Sequence, residues 1–210
     1  MYKYVIWDFD GTVFDTYPHS SKVFKEELEK YGIYEDFETV DSLSKVSFGH
    51  LCTYLLNKYP DFTREKYAAI GKINREDEPG KVFAFPGAKE LCEDIVKAGG
   101  ENWMYSHRGP TAKTLMKEAG MLDLFKDFVL DGDGFPWKPA PDAVLALLER
   151  NGADKKDAIM VGDREIDCGS GYNAGIDSCL FMATSYENTK SKYQATNFDE
   201  LRKIIFGEVK

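Results

Sequence analysis

The sequence has no long hydrophobic run, and this absence excludes a membrane-spanning helix. Its longest uninterrupted apolar stretch is residues 143–148, whereas a helix needs roughly 20 such residues to span a bilayer. The N-terminal segment reaches a carboxylate at Asp8 before the apolar part of a signal peptide could develop. We therefore expect a soluble, cytoplasmic protein with no membrane partner.

Cysteine and histidine are also scarce. The chain has 4 cysteines and 3 histidines, and neither type is clustered or arranged in a CxxC spacing. Isolated cysteines are most often reduced core residues, and a zinc site requires several Cys or His ligands close together. These observations predict a chain without a zinc centre, in keeping with a reducing compartment.

Basic residues are fewer than acidic ones, 27 against 36, for a formal charge of −9. This balance argues against a nucleic-acid partner, because such binding depends on lysine and arginine at phosphates. With 14 Phe, 12 Tyr and 3 Trp in 210 residues, the chain is too aromatic to be disordered and long enough to bury one or two domains. The acid excess raises a question, since a negatively charged protein should repel small anions unless a local feature reverses the field.

Short β-branched or aromatic runs alternate with helical patterns over most of the chain. This alternation predicts an α/β fold with a mostly parallel, Rossmann-like sheet. The predicted strands are 4–9, 103–105, 128–130, 158–161 and 178–182. Residues 16–84 interrupt the pattern with helical signals alone, at 20–31, 48–59 and 63–77. We therefore predict a core of residues 1–15 and 85–210 with an inserted helical domain of residues 16–84.

Polar side chains capable of chemistry lie at the ends of four predicted strands or in the loops that follow them. They are Asp8, Asp10, Ser106, Lys138, Asp163 and Asp167. In a parallel sheet, ligands bind outside the carboxyl ends of the strands. The sequence therefore predicts that these six side chains meet at one edge of the sheet.

Three motifs carry a family resemblance. They are Asp8-x-Asp10-Gly11-Thr12, Lys138-Pro139-x-Pro141 and Gly162-Asp163-x-x-x-Asp167. Each is weak alone, but their order and their positions after predicted strands make the set specific. The chain resembles the haloacid dehalogenase superfamily of phosphohydrolases, in particular its phosphoglycolate phosphatase-like members. In that family a helical cap domain stands where residues 16–84 stand here.

The resemblance implies a Mg²⁺-dependent phosphatase acting on a small phosphomonoester. It implies that Asp8 is the nucleophile that forms an aspartyl phosphate and that Asp10 is the general acid and base. Mg²⁺ would be held by Asp8, by Asp163 and by the backbone carbonyl of Asp10, with Asp167 acting through water or by orienting another ligand. Three carboxylates sharing one small site also call for a cation, and oxygen ligands alone favour Mg²⁺.

The resemblance also implies roles for two further residues. Lys138 would neutralise charge on the phosphoryl group and hold the nucleophile, and Ser106 would donate a hydrogen bond to a phosphate oxygen. Ser106 could instead cap the helix that follows it. His107 stands where relatives commonly carry asparagine, and the roles of His107 and Arg108 stay open.

Two other functions remain open. A phosphomutase of the β-phosphoglucomutase type would use the same nucleophile and metal but return the phosphoryl group to a sugar. A non-catalytic, phosphate-binding or regulatory protein is disfavoured, because Asp8, Asp10, Lys138 and Asp163 are all present. Either a monomer or a dimer is compatible with the sequence.

Overall fold

The computed structural model describes residues 1–183 and 189–208. The chain divides into two compact units, one of Met1–Phe14 with Ala84–Lys210 and one of Asp15–Phe83. The core range that we predicted from the sequence also includes residues 184–188 and 209–210, which lie outside the described residues. The domain boundaries after residue 15 and before residue 85 stay predictions.

The larger unit is built on a parallel sheet. Eight strands occur among the described residues, namely β1 (Tyr4–Trp7), β2 (Phe14–Asp15), β3 (Phe83–Ala84), β4 (Glu101–Tyr105), β5 (Phe125–Val129), β6 (Ala158–Gly162), β7 (Asp177–Phe181) and β8 (Tyr193–Ala195). Six of them form one sheet in the order β5-β4-β1-β6-β7-β8, and all neighbouring pairs are parallel. The short β2 and β3 form a separate two-stranded sheet. The predicted α/β, Rossmann-like fold is confirmed.

Helices make up the rest of the regular structure. The smaller unit contains α1 (Tyr17–Lys30), α2 (Phe37–Val46), α3 (Phe48–Lys58) and α4 (Arg64–Asp77). The larger unit contains α5 (Ala88–Lys97), α6 (Thr111–Glu118), α7 (Asp142–Arg150), α8 (Glu165–Ala174) and α9 (Phe198–Phe206). Among the described residues, none of these helices has the length and hydrophobicity that a membrane crossing demands.

Each unit has its own hydrophobic core. In the larger unit, Ile6 and Trp103 on neighbouring strands pack in one buried cluster with residues of α7. In the smaller unit, Phe24 of α1, Leu55 of α3 and Ile70 of α4 belong to another. Burial of such side chains contributes roughly 1.5–3 kcal/mol each, which explains why the helical insertion forms a compact unit of its own.

Several elements differ from the sequence-based predictions. The strand predicted at 103–105 begins at Glu101, because the Asn102 amide is satisfied inside the sheet. Its Nδ2 donates to the backbone carbonyls of Cys92, at 3.0 Å, and Leu124, at 3.1 Å. Its Oδ1 accepts from the Trp7 indole at 2.9 Å. A polar side chain that looks unfavourable in a strand is therefore fully hydrogen-bonded.

Five of these helices and strands were not predicted, namely α2, α9 and the short strands β2, β3 and β8. Both missed helices begin at capping residues that are visible in the sequence. Asp36 accepts a hydrogen bond from the Thr39 amide at 2.7 Å, and Asn197 accepts one from the Glu200 amide at 2.9 Å. Such caps satisfy amides that have no partner within the helix, so these signals could have located both helices.

The position of β1 determines where chemistry can occur. This strand lies between β4 and β6, with Trp7 in register with Met104 on one side and Val161 on the other. The strands β4 and β5 lie on one side of β1, and the strands β6, β7 and β8 lie on the other, so the strand order changes direction at β1. Such a switch point opens a crevice at the carboxyl ends of the strands. The segments that follow β1, β4 and β6 therefore emerge side by side.

Candidate active site

A buried lysine lies at the centre of this crevice. The Lys138 ammonium nitrogen lies 2.5 Å from Asp8 Oδ1, 2.7 Å from Asp167 Oδ1 and 2.8 Å from the Tyr105 carbonyl. Its side chain is 0% exposed, and a lysine has three donors to satisfy. Burial by itself lowers the pKa of Lys138, but the charges of Asp167 and Asp8 outweigh that effect and raise it. Lys138 is therefore a permanent cation that joins two strand ends.

Asp8 follows β1 and is buried, with its side chain 2% exposed. Its backbone amide donates to the Val161 carbonyl at 2.8 Å, which continues the pairing of β1 with β6 by one residue. Burial raises the pKa of the Asp8 carboxyl to about 6, against the opposing charge of Lys138. Oδ1 contacts Lys138, whereas Oδ2 has no hydrogen-bond partner among the described residues.

Asp167 is held rigidly beside Asp8. Its Oδ2 accepts a hydrogen bond from the Arg164 amide at 3.0 Å, at the start of α8. Burial opposes ionisation of Asp167, but Lys138 and Arg164 lower its pKa overall. The carboxylate packs directly on Gly162, where an added Cβ would lie 2.3 Å from the Asp167 Cβ. The glycine of the third motif is therefore required for close packing.

Three carboxylates converge in a way that fits a divalent cation. Asp8, Asp163 and Asp167 each offer an oxygen, and these oxygens lie within 4.8 Å of one another. All three residues are buried, and Asp8 Oδ2 has no hydrogen-bond partner among the described residues. Buried charges are normally paired or bound to a metal, and an all-oxygen donor set suits Mg²⁺. The residues present therefore fit the predicted metal.

Asp10 lies apart from this carboxylate group. Its side chain pairs with Arg108, whose Nε lies 3.1 Å from Asp10 Oδ1 and 3.2 Å from Oδ2. Arg108 Nη2 donates to Asp10 Oδ1 as well. Asp10 is followed by Gly11, whose φ of 76° is a left-handed conformation that suits glycine. The carboxylate of Asp10 thus faces an arginine, which the sequence motifs did not indicate.

Ser106 follows β4, and it does not cap α6. Its Oγ accepts a hydrogen bond from the Arg108 amide at 3.1 Å, whereas α6 is preceded by Pro110 at its N-cap position. A serine hydroxyl that accepts in this way still has its proton to donate. The helix-cap alternative for Ser106 is therefore wrong, and the residue is 2% exposed at the same sheet edge as Asp8.

His107 supports the loop that carries Lys138. Its Nε2 accepts a hydrogen bond from the Lys138 backbone amide at 2.9 Å, and its ring contacts Trp137 with centroids 4.6 Å apart. Burial lowers the pKa of His107 to about 4, and the nearby charges of Lys138 and Arg164 act in the same direction. The neutral imidazole can accept this hydrogen bond, whereas a protonated one cannot.

This contact predicts a pH-dependent contribution to stability. The unfolded chain protonates His107 as the pH falls through its ordinary value of 6.5, while the folded chain does so only near 4. The stability that neutral His107 contributes is therefore present above pH 6.5 and is lost as the pH falls from 6.5 to about 4. His107→Gln keeps an acceptor but does not titrate, so it should lose less stability than the wild type between about pH 7 and about pH 5.

Urea unfolding at the two pH values measures this difference. His50→Gln is the matched control, because His50 is an exposed residue of α3 and its replacement should leave the pH dependence unchanged. The same pH dependence for His107→Gln and the wild type would show that the histidine is not held neutral.

The site thus contains more positive charge than the motifs indicated. Arg164 Nε lies 3.8 Å from Asp163 Oδ1 and 4.0 Å from Asp167 Oδ2. With Lys138 and Arg108, it gives three cations among four carboxylates. The sequence motifs assign no role to either arginine, although Arg164 lies within the third motif and Arg108 is two residues after Ser106.

Comparison with known proteins agrees with this geometry. The sequence profile of the haloacid dehalogenase-like hydrolase family matches residues 5–181. A phosphoglycolate phosphatase of Aquifex aeolicus is 24% identical over 183 residues, covering 86% of this chain and 84% of that protein. A pyrophosphatase PpaX of Halalkalibacterium halodurans is 26% identical over 182 residues, covering 84% and 81%.

Solved structures show the same fold. A hydrolase from Streptococcus pneumoniae TIGR4 superimposes with a TM-score of 0.66 at 31% identity, covering 87% of this chain and 94% of that one. A predicted phosphoglycolate phosphatase from Haemophilus somnus 129pt gives a TM-score of 0.83 at 16% identity, covering 97% of both chains. The sheet and the helical insertion therefore occur together in other proteins.

Proposed function

Since the chain belongs to the haloacid dehalogenase-like hydrolase family, we propose that it is a Mg²⁺-dependent phosphatase that hydrolyses a small phosphomonoester through an aspartyl phosphate. Family membership confirms the predicted family and the prediction of a hydrolase. The observation that carries the proposal is the environment of the two Asp8 carboxylate oxygens. One of its oxygens contacts Lys138 at 2.5 Å, and the other is buried without a hydrogen-bond partner among the described residues.

The proposed reaction has two displacements at phosphorus. In the first, an Asp8 oxygen forms a bond to phosphorus, and the bond from phosphorus to the ester oxygen breaks with its electron pair going to that oxygen. Asp10 protonates an alkoxide leaving group. In the second, water attacks phosphorus and gives its proton to Asp10, and the electron pair of the acyl phosphate bond returns to Asp8. The products are the alcohol and orthophosphate.

The other site residues support these steps. Asp8 and Asp163 would hold Mg²⁺ together with the Asp10 carbonyl, and Asp167 would orient Lys138 or act through water. When bound, Mg²⁺ supplies positive charge that stabilises the transferring phosphoryl group. Lys138 holds Asp8 in place and neutralises phosphoryl charge, and the Ser106 hydroxyl donates to a phosphoryl oxygen.

The proposal extends to the rest of the chain. We assign residues 1–15 and 85–210 as the catalytic core and residues 16–84 as a cap that excludes water during the reaction. The similarity to phosphoglycolate phosphatases and to a pyrophosphatase supports a small phosphorylated metabolite as substrate. The four cysteines are buried and form no disulfide, which supports a reducing cytoplasm as the site of action.

Hydrolysis of p-nitrophenyl phosphate tests the proposed function. We expect turnover with Mg²⁺, a loss of on the order of a hundredfold or more with chelator, and recovery when Mg²⁺ is restored. Ca²⁺ is the matched control, because it prefers larger and less regular coordination and should restore less activity. A panel with phosphoglycolate, pyrophosphate and hexose phosphates then ranks the substrates.

Two outcomes would contradict the proposal. Turnover that is indifferent to chelator would remove the metal from the mechanism. An absence of turnover over the whole panel would favour a non-catalytic phosphate-binding protein, and transfer to a sugar acceptor in place of water would favour a phosphomutase.

A further inference from the structure

The pairing of Arg108 with Asp10 is a feature that the motif-based mechanism leaves unused. Two guanidinium nitrogens of Arg108 donate to the Asp10 carboxylate, and Nε lies 3.1 Å and 3.2 Å from its two oxygens. Such fork-like contacts fix the direction of a carboxylate as well as its charge. The Arg108 side chain is 6% exposed and that of Asp10 is 20% exposed, so solvent screens this pair only weakly.

Arg108 is itself held from several directions. Its guanidinium carbon lies 5.1 Å from the centroid of the Phe9 ring, a cation–π contact. Its backbone amide donates to Ser106 Oγ at 3.1 Å, and its carbonyl accepts from the Asp131 amide at 3.1 Å. The guanidinium therefore lies on a fixed support between β1 and β4, and Asp10 takes its orientation from it.

We propose that Arg108 is a positioning residue that aims the Asp10 carboxylate at the water that hydrolyses the aspartyl phosphate. The proposal rests on the proposed function, because it needs the two-step reaction. In the second step, the water oxygen forms a bond to phosphorus, its proton goes to Asp10, and the electron pair of the acyl phosphate bond returns to Asp8. This step requires an Asp10 oxygen at one position, and the Arg108 fork supplies that position.

This role makes a distinctive kinetic prediction with p-nitrophenyl phosphate. Nitrophenolate is a weak base that leaves without a proton, so the first step depends little on proton donation by Asp10. Arg108→Ala should therefore slow the second step selectively. We expect kcat to fall by on the order of ten- to a hundredfold, KM to fall with it, and kcat/KM to stay nearly constant. Rapid mixing should show a burst of nitrophenolate that approaches the enzyme concentration.

Chemical rescue and a conservative variant give independent readouts. Added guanidinium ion should restore part of kcat in Arg108→Ala and leave the wild type unchanged. Arg108→Lys keeps a charge but loses the fork, so it should show the same burst with a smaller loss of kcat. If Arg108→Ala does not fold, as judged by circular dichroism, Arg108→Lys carries the test.

Two matched controls separate positioning from a general structural effect. Arg150 on helix α7 forms a similar fork with Asp127 on strand β5. Its Nε lies 2.5 Å and its Nη2 2.7 Å from the Asp127 oxygens. Arg150→Ala should produce no burst. In an Asp10→Asn background, Arg108→Ala should have little further effect on kcat, since it acts through Asp10.

The outcomes distinguish this inference from the proposed function. A wild type without phosphatase activity would refute the proposed function itself. If the wild type is active, a rise in KM with no burst in Arg108→Ala would show that Arg108 binds the substrate and would overturn the inference alone. Unchanged kinetics, or additive effects of Arg108→Ala and Asp10→Asn, would overturn it as well.

Discussion

Replacing Asp8 with asparagine is expected to lower kcat for p-nitrophenyl phosphate by on the order of a thousandfold or more. The amide oxygen is a poor nucleophile and cannot form a stable acyl phosphate. The substitution preserves the shape of the side chain in its buried position after β1, and it leaves Asp167 in place to pair with Lys138 at 2.7 Å. The loss should therefore fall on the chemistry and not on the fold.

The stability of the same variant supports that distinction. Burial raises the pKa of Asp8 to about 6, so the ionised carboxyl disfavours the folded chain at neutral pH in the absence of metal. Asp8→Asn should accordingly melt at the same temperature as the wild type or higher when Mg²⁺ is absent. Asp123→Asn, at an exposed position of the same unit, is the matched control and should leave kcat unchanged. Substantial activity in Asp8→Asn would identify another nucleophile.

Replacing Lys138 with methionine should produce the largest loss of stability. The Lys138 ammonium lies 2.5 Å from Asp8 and 2.7 Å from Asp167, and its side chain is 0% exposed. Without it, the buried carboxylates of Asp8 and Asp167 lose the cation between them, and removing one partner of a buried pair costs roughly 3–5 kcal/mol. We expect the free energy of unfolding to fall by about this amount without Mg²⁺ and to recover when Mg²⁺ is added, because the metal binds only the folded site.

Urea unfolding with and without Mg²⁺ measures this effect. Lys126→Met is the matched control, because Lys126 pairs with Glu101 at 2.7 Å but is 54% exposed, and such surface pairs contribute about 1 kcal/mol or less. A second substitution, Asp167→Asn, should restore part of the stability lost in Lys138→Met, since it removes one of the opposing charges. An equally small loss in both lysine variants would show that Lys138 does not hold the site together.

The alternation of apolar runs and helical patterns was sufficient to predict five of the six strands of the sheet and the helical insertion. Element ends were less accurate, because tertiary contacts determine them. Glu101 and Asn102 join β4 through hydrogen bonds to other parts of the chain, and no local pattern indicates such partners. The helix α5 shows the same limit, because Val96 follows its apolar spacing but is 45% exposed.

The candidate site was predictable where its residues lie in motifs at strand ends, as Asp8 and Asp163 do. The contacts of Arg108 and His107 were not, because each side chain bonds to a residue far away in the sequence. Arg108 reaches Asp10, 98 positions away, and His107 reaches Lys138, 31 positions away. Their partners become visible only when β1, β4 and the Lys138 loop are brought together.

The acid excess no longer conflicts with an anionic substrate. Lys138, Arg108 and Arg164 lie among the four carboxylates of the site, which leaves one negative charge there. Bound Mg²⁺ would change this to one positive charge, so the local field would favour a phosphate whatever the net charge of −9.

Identification of the phosphorylated residue tests the central claim most directly. The protein is mixed with substrate and Mg²⁺, quenched in acid within its first turnover, and digested for mass analysis of the peptides. The account predicts a phosphoryl group on Asp8, lost on treatment with hydroxylamine as expected of an acyl phosphate, and absent from Asp8→Asn. A phosphoryl group on another residue, or product release in a first turnover that never labels Asp8, would contradict it.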